Sequence, residues 1–197
     1  MTCQSQQQKQ RSSLEPVDRT RFVTEWTDFQ RVNFEQLLNS NVEEWQAIEM
    51  ALNEASTPEA LIWHHKSVPM LQLLSLFAHV DNQWLRISTY QDDDEFGLSL
   101  EPIPRAPQGS NQWADQVGNT SIFRWRVARE LPTGKISQVA VKQNDRNNIA
   151  MVELKIQSHL IRLAPGEVYE NQDQSFDVRF MDESVLVQVD GRSPIEQ

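Results

Sequence analysis

Two hydrophobic periods divide this chain. From about Thr20, Phe22, Trp26 and Phe29 recur at spacings of four and three, and Phe34, Leu37 and Leu38 extend the stripe, as one face of a helix requires. Asn39-Ser40-Asn41 interrupts it. Ser40 followed by Glu43 has capping-box spacing, so the pattern predicts a second helix over about 42–55 that buries Trp45, Ile48 and Leu52 and stops at Ser56-Thr57-Pro58. Residues 1–18 are Gln- and Ser-rich without a period, which predicts a disordered leader.

Beyond residue 60 the period falls to two. The apolar run Leu71 to Val80 reads as a strand buried on both faces, although Ser67-Val68-Pro69 could also start a short helix. Trp84 to Tyr90 and Phe96 to Ile103 read as strands around the acidic turn Asp92-Asp93-Asp94-Glu95. Residues 104–119, which include Trp113, read as a long loop. In Ile122 to Ala128, Phe123, Trp125 and Val127 alternate with Arg124 and Arg126, and Leu131-Pro132-Thr133-Gly134 reads as a turn into a hairpin partner at Ile136 to Val141. Further strands are expected at Ala150 to Ile156, at Ser158 to Leu163 with a stop at Pro165-Gly166, at Phe176 to Phe180 and at Val185 to Val189. No helical segments separate them, so parallel crossovers are unexpected. The fold class predicted is α+β, mainly β. N-terminal helices (19–57) cap an antiparallel meander of about eight to ten strands (61–190), closed or partly open as a barrel, in a single domain of residues 19–197.

Composition changes this picture at a few points. The 197 residues carry a net charge of −10, yet residues 121–162 hold eight basic side chains against three acidic ones. Overall acidity opposes a non-specific nucleic-acid binder, whose affinity comes from phosphate neutralisation. No apolar stretch is long enough to span a bilayer as a helix, the polar start lacks the apolar region of a secretory signal, and the single cysteine, Cys3, cannot make an intrachain disulfide. A cytoplasmic location is expected. With 6 glycines there is little room for phosphate-binding loops, and no nucleophile elbow or HExxH spacing occurs. A calcium-loop reading of Asp92 to Gly97 places Phe96 where an oxygen ligand is needed, so no metal site is expected.

Among candidate site residues, Trp84 and Arg86 share one strand face, as do Arg124 and Arg126. Arginine forks match carboxylates, so an inward-facing set could clamp an acidic apolar ligand such as a tetrapyrrole or a lipid. Inward arginines need a compensating anion, and either they or Trp125 must face the core; ordinary hydrophobicity favours Trp125.

A helix followed by about nine up-and-down strands, with Trp26 in Glu25-Trp26-Thr27-Asp28-Phe29 near the start, resembles the calycin or lipocalin-like group, including small cyanobacterial barrels of the bilin-lyase type. The resemblance covers residues 20 to 190 as an order of elements. The Gly-x-Trp opening of lipocalins is missing, so no family site residues carry over. It implies a non-catalytic binding or accessory protein for an apolar ligand, with no cofactor predicted. Two alternatives are a lyase-like chaperone or enzyme with a barrel-mouth site using Arg86, Arg124 and His79 or His159, and a protein-interaction module. The last would present Glu35, Glu43, Glu44, Glu49, Glu54 and Glu59 on acidic helices.

Overall fold

A computed structural model describes residues 19–107, 116–117 and 120–196. The expected leader and most of the 104–119 loop, including Trp113, lie outside the described residues. Among the described residues the elements are one α-helix, α1 (Arg19–Glu35), and strands β1 (Asn41–Met50), β2 (Leu71–Val80), β3 (Gln83–Asp92), β4 (Glu95–Ile103), β5 (Gln116–Val117), β6 (Thr120–Ser121), β7 (Phe123–Val127), β8 (Gly134–Gln143), β9 (Ile149–Ile156), β10 (His159–Glu170), β11 (Phe176–Phe180) and β12 (Ser184–Val189), with short 3-10 turns at Pro58–Ala60 and Pro194–Glu196. Six strands close an antiparallel barrel in the cyclic order β1-β2-β12-β10-β9-β8, while β3, β4, β7 and β11 extend from it.

The segment expected as a second helix, 42–55, is a strand as far as Met50. Its apolar residues fit a helical stripe equally well, and Trp45, Ile48 and Leu52 are buried as expected, but β1 hydrogen-bonds along both edges. A buried segment in that position cannot satisfy two neighbours' backbone groups as a helix, so tertiary pairing overrides the local period. Ser40 accordingly accepts the Ile136 N–H as part of the sheet rather than capping a helix, and Asn39 ends α1's exit turn in the left-handed region at φ 72°.

α1 turns Thr27, Gln30 and Phe34 inward, and Leu37 of the exit turn is buried with them; Phe29 and Leu38, expected on the same stripe, are exposed. Gln30 is buried because it works on the backbone: its Oε1 accepts the Leu100 N–H at 2.8 Å, while Asn33 donates to the Leu100 carbonyl. The helix thereby covers part of the outer edge of β4, which would otherwise present unpaired groups.

The strand order is not that of a sequential meander. The β1-β2 hairpin is inserted in reverse, so β1 meets β8 and β2 meets β12. Nor do β7 and β8 form the expected hairpin. They lie one after the other along the same edge of β1, Phe123 to Val127 beside Met50 to Gln46 and Gly134-Lys135 beside Val42-Asn41. The Leu131 to Gly134 segment spans that step, anchored by Trp45 Nε1 donating to the Pro132 carbonyl at 2.8 Å.

The expected stop at Pro165-Gly166 is also absent, because β10 runs on and exchanges partners there, from β9 and β12 to β11. Pro165 accepts the Met181 N–H but has none to return, and the Met181 carbonyl takes the Phe96 N–H of β4 instead. The barrel axis is filled by Leu73, Ile136, Val152, Leu154, Ile161, Leu163, Val185 and Val187, each 0% exposed, so no water-sized void touches them.

Candidate functional site

Two features stand out against this packed barrel. One is a charge cluster at the junction of β1 and β7. The register sets Ala47 opposite Arg126 and Glu49 opposite Arg124, and Ala47 belongs to the core, so the two arginines take the inward face of β7. Trp125, favoured for the core by hydrophobicity, takes the other face and is exposed. The anion that inverts the expectation is Glu49, which is 0% exposed and whose Oε2 accepts from Arg124 Nε at 2.7 Å and Arg126 Nε at 2.8 Å. Arg126 also donates to Glu130 at 2.5 Å. Arg124 lies over the Trp63 ring, 4.1 Å from its centroid, and its Nη2 is 3.4 Å from His64 Nε2. Among the described residues Glu49 Oε1 has no hydrogen-bond partner, and it lies 3.6 Å from His64 Nδ1.

Two arginines and two carboxylates neutralise one another here, with His64 as the remaining titratable neighbour. Burial lowers the pKa of His64 from 6.5; attraction to Glu49 opposes this, and Arg124 and Arg126 reinforce it. Below about 6.5 the unfolded chain binds a proton that folded His64 resists, so stability falls with pH from there down to the folded-state pKa. His64→Gln should therefore flatten the decline of the urea midpoint just below pH 6.5, and an unchanged slope would show that His64 does not titrate against this cluster.

Trp84 and Arg86 do not join Arg124 and Arg126. β2 and β1 lie between them, and Arg86 pairs across to Phe77 and Gln46, on the sheet face opposite Ala47. Arg86 binds Glu101 at 2.6 Å, and Trp84 stacks on His79, which binds Glu43 at 2.8 Å. His159 pairs with Asp190 at 2.8 Å near the β9-β10 turn. The acidic turn at 92–95 is met by Arg146, 2.6 Å from Asp94. Among the described residues no group of three or more His, Cys, Asp and Glu side chains could hold a metal, and no helix is long and apolar enough to cross a membrane. The acidic residues expected on helices are dispersed: Glu35 ends α1, Glu43, Glu44 and Glu49 belong to β1, and Glu54 and Glu59 lie in the segment that follows.

The second feature is a cleft of about 320 Å³ between α1 and the β2 to β4 sheet, lined by Phe29, Leu37, Val80, Leu85, Leu100 and Pro102 with Asn33, Gln36, Ser40, Asp81 and Gln83 among them. Phe29 is 59% exposed, and Val32 and Leu38 are exposed on the same helix and its exit turn. Among the described residues no cationic side chain lines the cleft. Another cleft, of about 350 Å³ beside Leu52 and Ile122, is lined by Glu54, Glu167 and Glu170; burial raises the Glu167 pKa, with Asp182 and Glu183 adding to the shift.

The sequence reading missed Glu49 as a partner, although a lone carboxylate between Ile48 and Met50 in an apolar run was the available signal for a buried pair. The α1 cleft had none, since Phe29 is indistinguishable from its stripe until the helix is docked. Comparisons with family models, with curated proteins and with solved structures returned no match.

Proposed function

We propose that this protein is a non-catalytic binding protein that takes an uncharged apolar group, from a small lipid-like ligand, into the cleft between α1 and the β2 to β4 sheet. The observation that carries the reading is Phe29, a large apolar side chain 59% exposed over a concave apolar floor. A monomer gains nothing by leaving such a side chain in water, and the cleft's volume falls at the lower end of small-ligand sites. A filled barrel axis favours this outer cleft over the interior. The amides and hydroxyl of Asn33, Gln36 and Ser40 supply neutral hydrogen-bonding groups, and Asp81 disfavours an anion. Arg124 and Arg126 act in this reading as a cross-brace satisfied by Glu49 and Glu130 rather than as an anion clamp. The lipocalin-like assignment remains part of this proposal, in the sense of a small barrel that binds apolar molecules, with its site moved to the outside.

Nile red, an uncharged apolar dye, should bind saturably with a blue-shifted emission. Phe29→Glu, a change at an exposed position, should weaken it about tenfold or more by placing a charge over the cleft floor. Non-saturable binding, or equal affinity in the variant, would discard the cleft.

A further inference from the structure

We infer that β11 is the docking edge for a second copy of this chain, joined to it antiparallel about a two-fold axis at Val178. Among the described residues β11 pairs with β10 alone, in a register that sets Val178 opposite Val168. Hydrogen bonds at the ends of that ladder fix which way each residue's backbone points. Asn171 donates to Ser175 and Met181 donates to Pro165, so the bonded pairs are the odd-numbered ones, 169 with 177 and 167 with 179 among them. The Val168 N–H agrees, since it turns away from β11 to Gln72 Oε1 at 2.5 Å. The N–H and C=O groups of Phe176, Val178 and Phe180 therefore point outward along the free edge, where no described residue bonds them. Phe180 is 56% exposed at its end.

What identifies the occupant is the sequence of the strand, Phe-Asp-Val-Arg-Phe. Antiparallel pairing with itself about Val178 sets Phe176 opposite Phe180, Asp177 opposite Arg179 and Val178 opposite Val178. A two-fold interface demands this self-complementarity, in which each residue meets the one that meets it. The three outward-pointing residues would form the hydrogen-bonded pairs. Asp177 and Arg179 would occupy the non-bonded pairs, where facing side chains come closest and opposite charges help most. The edge of β7 makes the contrast: the same operation on Phe-Arg-Trp-Arg-Val sets Arg124 against Arg126. Of these two edges only β11 suits a second copy. A five-residue edge is a small interface, so the dimer is a weak one.

Sedimentation velocity on the full chain should show reversible dimerisation as concentration rises towards about 1 mM, the range of a contact worth about 4 kcal/mol. Asp177→Arg and Arg179→Asp each convert both symmetry-related ion pairs into like-charge pairs and should raise the dimer Kd about tenfold or more. An equimolar mixture of the two variants restores every opposite-charge pair and should dimerise again as a heterodimer. Val178→Pro deletes an outward N–H that β10 does not use, and should be monomeric with an unchanged circular dichroism spectrum. A wild-type chain that stays monomeric throughout, single variants that dimerise as wild type does, or a mixture that fails to recover would each overturn the inference.

Discussion

Replacing Glu49 by Ala should lower unfolding stability by about 3 kcal/mol, read as a shift of the urea midpoint at constant slope. The change leaves two arginines on the core-facing side of β7 without the carboxylate that both Nε atoms share at 2.7 and 2.8 Å. Removing one member of a buried pair typically costs about 3 to 5 kcal/mol; the lower end applies here because Arg124 is 40% exposed and can reach water. Converting Glu49, Glu130, Arg124 and Arg126 together to Leu should come within about 1 kcal/mol of wild type, since a matched apolar set removes the desolvation cost along with the attraction and leaves no carboxylate unpaired. A loss under about 0.5 kcal/mol in Glu49→Ala would mean that the cluster is an ordinary surface pair. If the quadruple variant keeps Nile red affinity, the brace and the α1 cleft are independent.

Gly166→Ala should cost about 2 to 3 kcal/mol although it adds a single methyl to a residue that lies in a strand. A Cβ at this position would sit 2.5 Å from the Arg179 carbonyl oxygen and 2.5 Å from Leu186 Cδ1. The leucine can rotate away; the backbone carbonyl cannot move without pulling β11 off β10, so overpacking is not relieved by rotamer changes. Shortening the side chain in Gly166→Ala/Leu186→Ala should therefore leave most of the defect, after the cavity cost of Leu186→Ala alone is subtracted. Amide exchange should report it locally, with the Met181 N–H, bonded to Pro165, losing protection first. Full additivity with near-zero cost for Gly166→Ala would show that the two strands can part freely there.

How much of this was legible in the sequence depends on where each element's partners lie. β3, β4, β9 and β12 carry their alternation in their own residues, with strand-forming side chains between Asp, Asn and Pro turns, and they appear close to where the period of two places them. β1 was not legible. Its Trp45 and Ile48, with Leu52 just beyond, fit a helix, and what makes it a strand is hydrogen bonding to residues 73–80, 123–127 and 134–135, which no local window contains. The continuation of β10 past Pro165-Gly166 has the same origin: proline lacks a donor, but a third strand, β4, takes up the carbonyl left over. At the charge cluster, the sequence leaves both outcomes open for Arg124 and Arg126 and sets the condition for the inward one, a compensating anion from a ligand or a carboxylate. Glu49 meets that condition from 75 residues away in the chain. Trp84 and Arg86 satisfied the same spacing rule yet face the opposite side, because same-strand parity says nothing about which face of a sheet lies inward.

The reversed insertion of the β1-β2 hairpin sets the order in which this barrel can be assembled. Val42 must find Gly134, and Leu73 must find Val185, before the ring exists. Hairpins such as β3-β4 and β8-β9 can form as they are made, whereas both seams of β1-β2 wait on distant sequence and the loop-closure entropy that comes with it. Closure is thus a late, slow event. On the ribosome, β3 would cover most of β2 at once, while residues 71–73 of β2 stay uncovered until β12 emerges to complete the circle.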